Sequence, residues 1–184
     1  VRSMFNTHQN HEPALYKIHS GKLLPGLPSL GSWVTYGLGT ENQNLPAYVV
    51  LDDPQNRLPV NEVQNWQSGY LPPIYQGTRM RPTGSPILNL KPEHERPDKV
   101  VELSRRLLAR LDRIHKNQRP GQLRLDARIA SYQLAARMQL YASDALDLKQ
   151  ETKATLDAYG VGKPETDNYA RRCLMARRLV ERGV

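Results

Sequence analysis

Pro28-Ser29-Leu30-Gly31-Ser32-Trp33-Val34-Thr35-Tyr36-Gly37-Leu38-Gly39 is followed, after a short polar segment, by Pro46-Ala47-Tyr48-Val49-Val50-Leu51. Proline at the entry and glycine past the end bracket a helix over residues 29–38, with Trp33 on its core side. The apolar run 46–51 is too short for a helix and rich in β-branched residues, so it reads as a short buried strand stopped by the turn Asp52-Asp53-Pro54. Helix followed by strand suits one layer of an α/β fold.

Working outward toward the N-terminus, residues 12–20 form a short helix, with Asn10 or His11 at its cap, Pro13 in the first turn and Gly21 as the stop. In the other direction Gly69, Pro72-Pro73, Gly77 and Pro82-Thr83-Gly84 interrupt anything long between residues 57 and 86, and Ile87-Leu88-Asn89-Leu90 adds a brief strand. Such a connection is either a binding loop or a segment pinned against another part of the protein. Residues 1–90 hold ten of the fourteen prolines and eight of the twelve glycines, which makes this half a set of short elements joined by turns.

The second half, 91–184, is a helical layer of the same single domain, 1–184. Over residues 97–117 Val100, Leu103, Leu107, Leu111 and Ile114 recur three and four apart, the mark of an amphipathic helix, and Pro120-Gly121 breaks it. A helix over 124–142 carries Leu125, Ile129, Tyr132, Ala136 and Leu140 on one side, and the two should pair. Short turns over 144–148 and 151–158, the latter stopped by Gly160, precede a last helix over 165–182. Its expected buried side is Tyr169, Cys173, Ala176, Leu179 and Val180.

The chain has 184 residues, enough for one core without disulfide or metal support. No apolar run approaches the roughly 18 residues that span a bilayer. The lone Cys173 forms no intrachain disulfide and leaves no cysteine-based zinc cluster. No export signal is visible at Val1-Arg2-Ser3-Met4. The net charge of +8 is uneven: residues 1–90 hold six basic and five acidic groups, residues 91–184 twenty and thirteen. Arg171-Arg172 and Arg177-Arg178 form a basic stripe without interleaved aromatics, so nucleic acid is the least supported partner. The alternative is a solvated arginine-rich surface that packs against acidic regions.

His8, His11 and His19 fall within twelve residues, yet there is no His-Glu-x-x-His, calcium loop, phosphate loop or dinucleotide fingerprint. His11 stands at a helix entrance, where free backbone N–H groups favour an anion and a histidine can donate to an oxyanion or move a proton near neutral pH. Simple capping explains the same position. Asp52-Asp53 and the Glu93/Glu95 pair show no acid/base geometry. Trp66 and Tyr70 either anchor the long loop or line a ligand groove; Tyr75-Gln76-Gly77-Thr78-Arg79 and Arg81 either face an anion or tie down the loop. His115 reads as structural.

Asn10-His11-Glu12-Pro13-Ala14, the stretch 28–39, Asn44-Leu45-Pro46-Ala47-Tyr48-Val49-Val50-Leu51 and Tyr75-Gln76-Gly77-Thr78 closely resemble a bacterial family common in planctomycetes, grouped as domain of unknown function 1501. The resemblance continues through Leu111-Asp112-Arg113-Ile114-His115 and Ala135-Ala136-Arg137-Met138-Gln139 to the last helix, and covers nearly the whole chain. That family is similar to the sulfatases and alkaline phosphatases. The resemblance therefore implies part of an alkaline phosphatase/sulfatase-like α/β domain and an internal piece of a longer, exported or periplasmic protein. Divalent metal ions would be held by acidic motifs on either side of this region, with none assignable within it.

Sulfatases carry their nucleophile in Cys-x-Pro-x-Arg. Here His11 stands in the place of the cysteine and Leu15 in that of the arginine, while Cys173 is followed by Met175 where the proline belongs. The resemblance implies a metal-dependent hydrolase of sulfate or phosphate esters, with His11 and then His8 as the catalytic candidates at the active-site edge and the rest of the parent domain as partner. The alternatives are a noncatalytic protein that keeps the scaffold to bind a ligand, and a basic nucleic-acid-binding module.

Overall fold

A computed structural model describes residues 3, 5–51, 60–81, 87 and 96–184, the side chains of Leu140 and Ser143 excepted. The expected turn at Asp52-Asp53, the Glu93/Glu95 pair and most of the strand at 87–90 lie outside these residues. The described chain is mostly helical with a small two-stranded sheet, a mixed α/β arrangement.

Helix α1, His11–Ser20, starts at Asn10 through its backbone and ends at Gly21, whose left-handed conformation (φ 80°) lets its N–H reach the Lys17 carbonyl. Helix α2, Leu30–Leu38, is flanked by Ser29 and Gly39 as the sequence leads one to expect. Its faces are reversed, however. Ser32 and Thr35 are buried, while Trp33 is 42% exposed. The buried side approaches another backbone closely: Ser32 Oγ donates to Gln67 O at 3.0 Å, and a methyl group on Gly31 would overlap the ring of Tyr48. Small polar residues fit that gap and an indole does not.

The strand expected over 46–51 is reduced to β1, Val49–Leu51, and is half-buried. It pairs in parallel with β2, Thr78–Met80, in the register Val49 with Thr78, Val50 with Arg79 and Leu51 with Met80. Parallel strands require a long crossover, and the described part of this one contains two 3-10 turns, Glu62–Trp66 and Pro73–Tyr75. Trp66, 7% exposed, anchors the first, and Gly77 donates to its carbonyl at 3.0 Å. The connection is thus a pinned segment.

Helices α3, Asp98–Asn117, and α4, Leu123–Leu146, follow. The short turn expected over 144–148 is absorbed into the end of α4 and a 3-10 turn, Leu148–Gln150. Helix α5, Lys153–Tyr159, is capped by Thr152, whose Oγ1 accepts from Thr155 N, and stopped by Gly160 at φ 82°. Helix α6, Asp167–Val180, is rotated from its expected aspect: Ala170, Leu174, Met175, Arg178 and Leu179 are buried, whereas Tyr169 and Val180 are exposed.

The core lies where α4 and α6 meet the sheet. Met80, Met138, Ala142, Leu174 and Met175 are its centre, with Val49 and Leu51 packed against it. Helix α4 thereby uses a stripe (Ala127, Leu134, Met138, Ala142, Ala145) opposite the one that its sequence pattern favours. Two apolar stripes on one helix mark an element packed on two sides.

Arg178, only 5% exposed, closes this core. Its Nε donates to Ala145 O (3.0 Å) and its Nη2 to Asp144 O (2.9 Å), carbonyls in the last turn of α4, the second of which also accepts from Asp147 N at 3.4 Å. Its Nη1 pairs with Glu151, whose second oxygen accepts from Arg177 Nη2 at 2.8 Å. Arg178 first and Arg177 second hold the Glu151 carboxyl below its ordinary range. The basic stripe read from the sequence is thus largely paired within the fold: Arg171 pairs with Asp167, and Arg177 and Arg178 share Glu151.

The N-terminal half is tied to this frame by the segment after α2. Asn42 donates from its backbone to Gly183 O (3.1 Å) and from its side chain to Arg182 O (2.6 Å), and Arg137 Nε donates to Gln43 O at 2.8 Å.

Removing one partner from a buried, hydrogen-bonded charge pair costs about 3 kcal/mol. Arg178→Ala is therefore expected to lower unfolding stability by about that amount in urea titration, and an undiminished midpoint would place the stability elsewhere. Gly31→Ala is expected to cost about 1–3 kcal/mol through overpacking against Tyr48, read as a lower thermal midpoint, whereas Gly37→Ala, with open space around it, is not expected to show that loss.

Candidate functional site

The histidines read from the sequence occupy one flank of the molecule without converging. His8 sits in the loop before α1, where its Nδ1 accepts from Asn10 N at 3.1 Å and its own N–H donates to Asn6 Oδ1. Asn6 in turn donates to Ala14 O at 2.9 Å, so this loop is folded back on the helix. His8 thus holds a turn with one ring nitrogen. His11 begins α1, is exposed, and makes no hydrogen bond or ion pair among the described residues. Helix α1 leans on the first 3-10 turn through Tyr16 with Gln64 and Asn61 with Glu12 O. His19 is half-buried near the end of α1, and burial lowers its pKa from the ordinary 6.5.

Among the described residues, no three His, Cys, Asp or Glu side chains come together in a group able to hold a metal ion.

The aromatic residues form a chain of edge-to-face contacts: Tyr70 with Trp33 at 5.9 Å, Trp33 with Tyr36 at 6.1 Å, and Tyr36 with Tyr75 at 5.3 Å between ring centres. Their perpendicular rings lock α2 to the crossover. They do not make a flat stacking platform.

A cleft of about 540 Å³ opens elsewhere, between the segments 40–48 and 73–78 and the first half of α4. Its polar lining includes Arg124, Arg128, Gln76 and Thr78, and none of the lining residues is acidic. The two arginines stand one turn apart on α4. Both are exposed, and neither makes a hydrogen bond or ion pair among the described residues. Two unneutralised guanidiniums over a partly apolar floor of Leu45, Ala127 and Leu134 suit an anion carried on a larger body.

Arg124 and Arg128 were not legible as a site from the basic composition alone, but the sequence does hold a signal. Neither has an Asp or Glu three or four residues away. Arg106, Arg171 and Arg177 each have one at i±4 and pair with it. An acid one helical turn away thus marks these three as paired, while Arg137 and Arg182, which lack one, serve the fold through partners distant in sequence.

The cleft lies beside the amino ends of β1 and β2, at Tyr48 and Thr78. Open parallel sheets bind ligands beyond the carboxyl ends of their strands. Here those ends, Leu51 and Met80, lead toward residues 52–59 and 82–86, outside the described residues.

Among the described residues no helix is long and apolar enough to cross a membrane. The family model described as "Protein of unknown function (DUF1501)" matches residues 1–184. No curated protein and no solved structure matches the chain.

Folding that lowers the pKa of a histidine makes the unfolded state the better proton acceptor. The contribution of His19 is present above its ordinary pKa of 6.5 and is lost as pH falls through 6.5 toward the folded value. Stability is expected to drop over that interval in denaturant titrations at stepped pH, and His19→Gln is expected to flatten the dependence.

Proposed function

The chain belongs to the DUF1501 family, and from that premise we propose that its cleft binds the anionic group of a sulfated or phosphorylated ligand, within a metal-dependent hydrolase of sulfate or phosphate esters. The observation that carries this reading is the pair Arg124 and Arg128, free of carboxylate partners in a cleft whose lining has no acidic residue.

A sulfate or phosphate ester presents several oxygens to planar, multidentate donors, which arginine supplies better than lysine. Gln76 and Thr78 add neutral donors across the cleft. The hydrolytic part of the proposal, like the assignment of the α/β core to the alkaline phosphatase/sulfatase type, rests on the resemblance read from the sequence. Under it, His11, exposed at the start of α1 and not among the residues lining the cleft, is the candidate for proton transfer. His8 has one ring nitrogen committed to its loop and keeps the other.

A noncatalytic protein that retains the scaffold for binding would use the same cleft, so binding and turnover are separate tests. The paired arginines of α6 give no specific support to a nucleic-acid module.

Calorimetric titration with 4-nitrophenyl sulfate and 4-nitrophenyl phosphate is expected to detect binding that weakens at least tenfold in the Arg124→Ala/Arg128→Ala protein. Unchanged affinity in that variant would remove the cleft from the proposal. Elemental analysis after exhaustive dialysis then decides chemistry: near-stoichiometric divalent metal with release of 4-nitrophenol supports the hydrolase, and ester binding by metal-free, folded protein supports the binding scaffold. Unaltered hydrolysis by His11→Gln would exclude His11 from the reaction.

A further inference from the structure

Helix α3 is packed the wrong way round for an amphipathic helix. Its leucine face, made of Val100, Leu103, Leu107, Leu111 and Ile114, is the face that a core ordinarily takes. In the structure these five residues are between 45% and 59% exposed, and no residue of α3 is buried. Its attachment to α4 runs along the other side: Arg105 Nη2 donates to Gln139 at 3.1 Å, Lys116 pairs with Asp126 at 2.8 Å, and Ala109 and Asp112 line the shallow clefts between the two helices. At about 100° per residue, Leu107 and Ala109 project about 200° apart, so the leucine stripe points away from α4.

The stripe is a single helical seam, about 21 Å from Val100 to Ile114 at 1.5 Å per residue. Along one edge stand Lys99, Arg106 and Arg110. Lys99 and Arg110 have no ion pair among the described residues, and Arg106 has only an exposed i,i+4 contact with Glu102. Along the other edge stand Ser104, Leu108 and His115, with no carboxylate among them.

We propose that the outer face of α3 is a docking site for an acidic amphipathic helix, which covers the leucine seam and sets its carboxylates against Lys99, Arg106 and Arg110. Charge decides the occupant. A second copy laid antiparallel would set this basic edge against itself, and like charges across a helix seam repel. A bilayer surface is less suited, because α3 carries no Trp, Tyr or Phe to sit at the interface. This proposal is independent of the ester-binding reading, because α3 contributes no residue to the arginine cleft.

The test uses the whole chain and two synthetic 21-residue helical peptides with leucine at the seam positions, one flanked by glutamate and the other by lysine. Fluorescence anisotropy at low salt is expected to show the glutamate peptide binding at least tenfold more tightly than the lysine peptide. Leu107→Asp/Leu111→Asp is expected to abolish binding, with circular dichroism and the urea midpoint unchanged because neither leucine is buried. Lys99→Glu/Arg110→Glu is expected to invert the preference toward the lysine peptide. Equal binding of both peptides, or binding indifferent to the Leu107/Leu111 change, would overturn the proposal. So would a seam-dependent dimer in sedimentation, or seam-dependent binding to phosphatidylglycerol vesicles, without selection for the glutamate peptide.

Discussion

Arg178 and Glu151 set the frame on which everything else rests. A guanidinium taken out of water needs its donors filled, and in this fold the acceptors come from three places: the last-turn carbonyls of α4, the carboxylate of Glu151, and Gln150 in the turn between them. One side chain on α6 therefore fixes where α4 stops, where the 3-10 turn begins and how α6 lies on both. Leu174, Met175 and Leu179 are buried as a consequence of that placement, because they share the inner aspect of α6 with Arg178.

The two halves of the chain share the core around Met80 and are also joined by backbone acceptors after α2. Asn42 reaches Arg182 and Gly183, and Arg137 reaches Gln43, so the segment after α2 is held at a fixed height above α4. That height creates the cleft. Tyr48, seated against Gly31 and close to Gly77, fixes the opposite wall, since neither glycine leaves room for a side chain there. The available arginines thus stand in a recess built by contacts with residues far away in sequence.

Arginine plays three different parts in this protein, and the difference is geometric. On α6 the residues are neutralised by acids one helical turn away or across the 3-10 turn. On the first turns of α4 they face a cleft with no acid in its lining. On α3 they border an exposed seam of leucines. A net charge of +8 is common to all three descriptions and distinguishes none of them.

Local chemistry was well determined by the sequence alone. Gly21, Gly39 and Gly160 stop α1, α2 and α5 where expected, because a glycine in a positive-φ conformation ends a helix without help from distant residues. The length of α3 and the division of the chain into a loop-rich and a helical half were equally local. Which face each helix turns inward was not. The stripes chosen from spacing on α4 and α6 were displaced, and Trp33 lies outward, because facing is set by what packs opposite: a close tyrosine ring beside Gly31, a buried ion pair at Arg178, a core on the far side of α4. Periodicity shows that a helix has an apolar side. Only the tertiary structure decides whether that side is already covered, since coverage depends on contacts between residues far apart in the chain, and at α3 it leaves the leucines in the open.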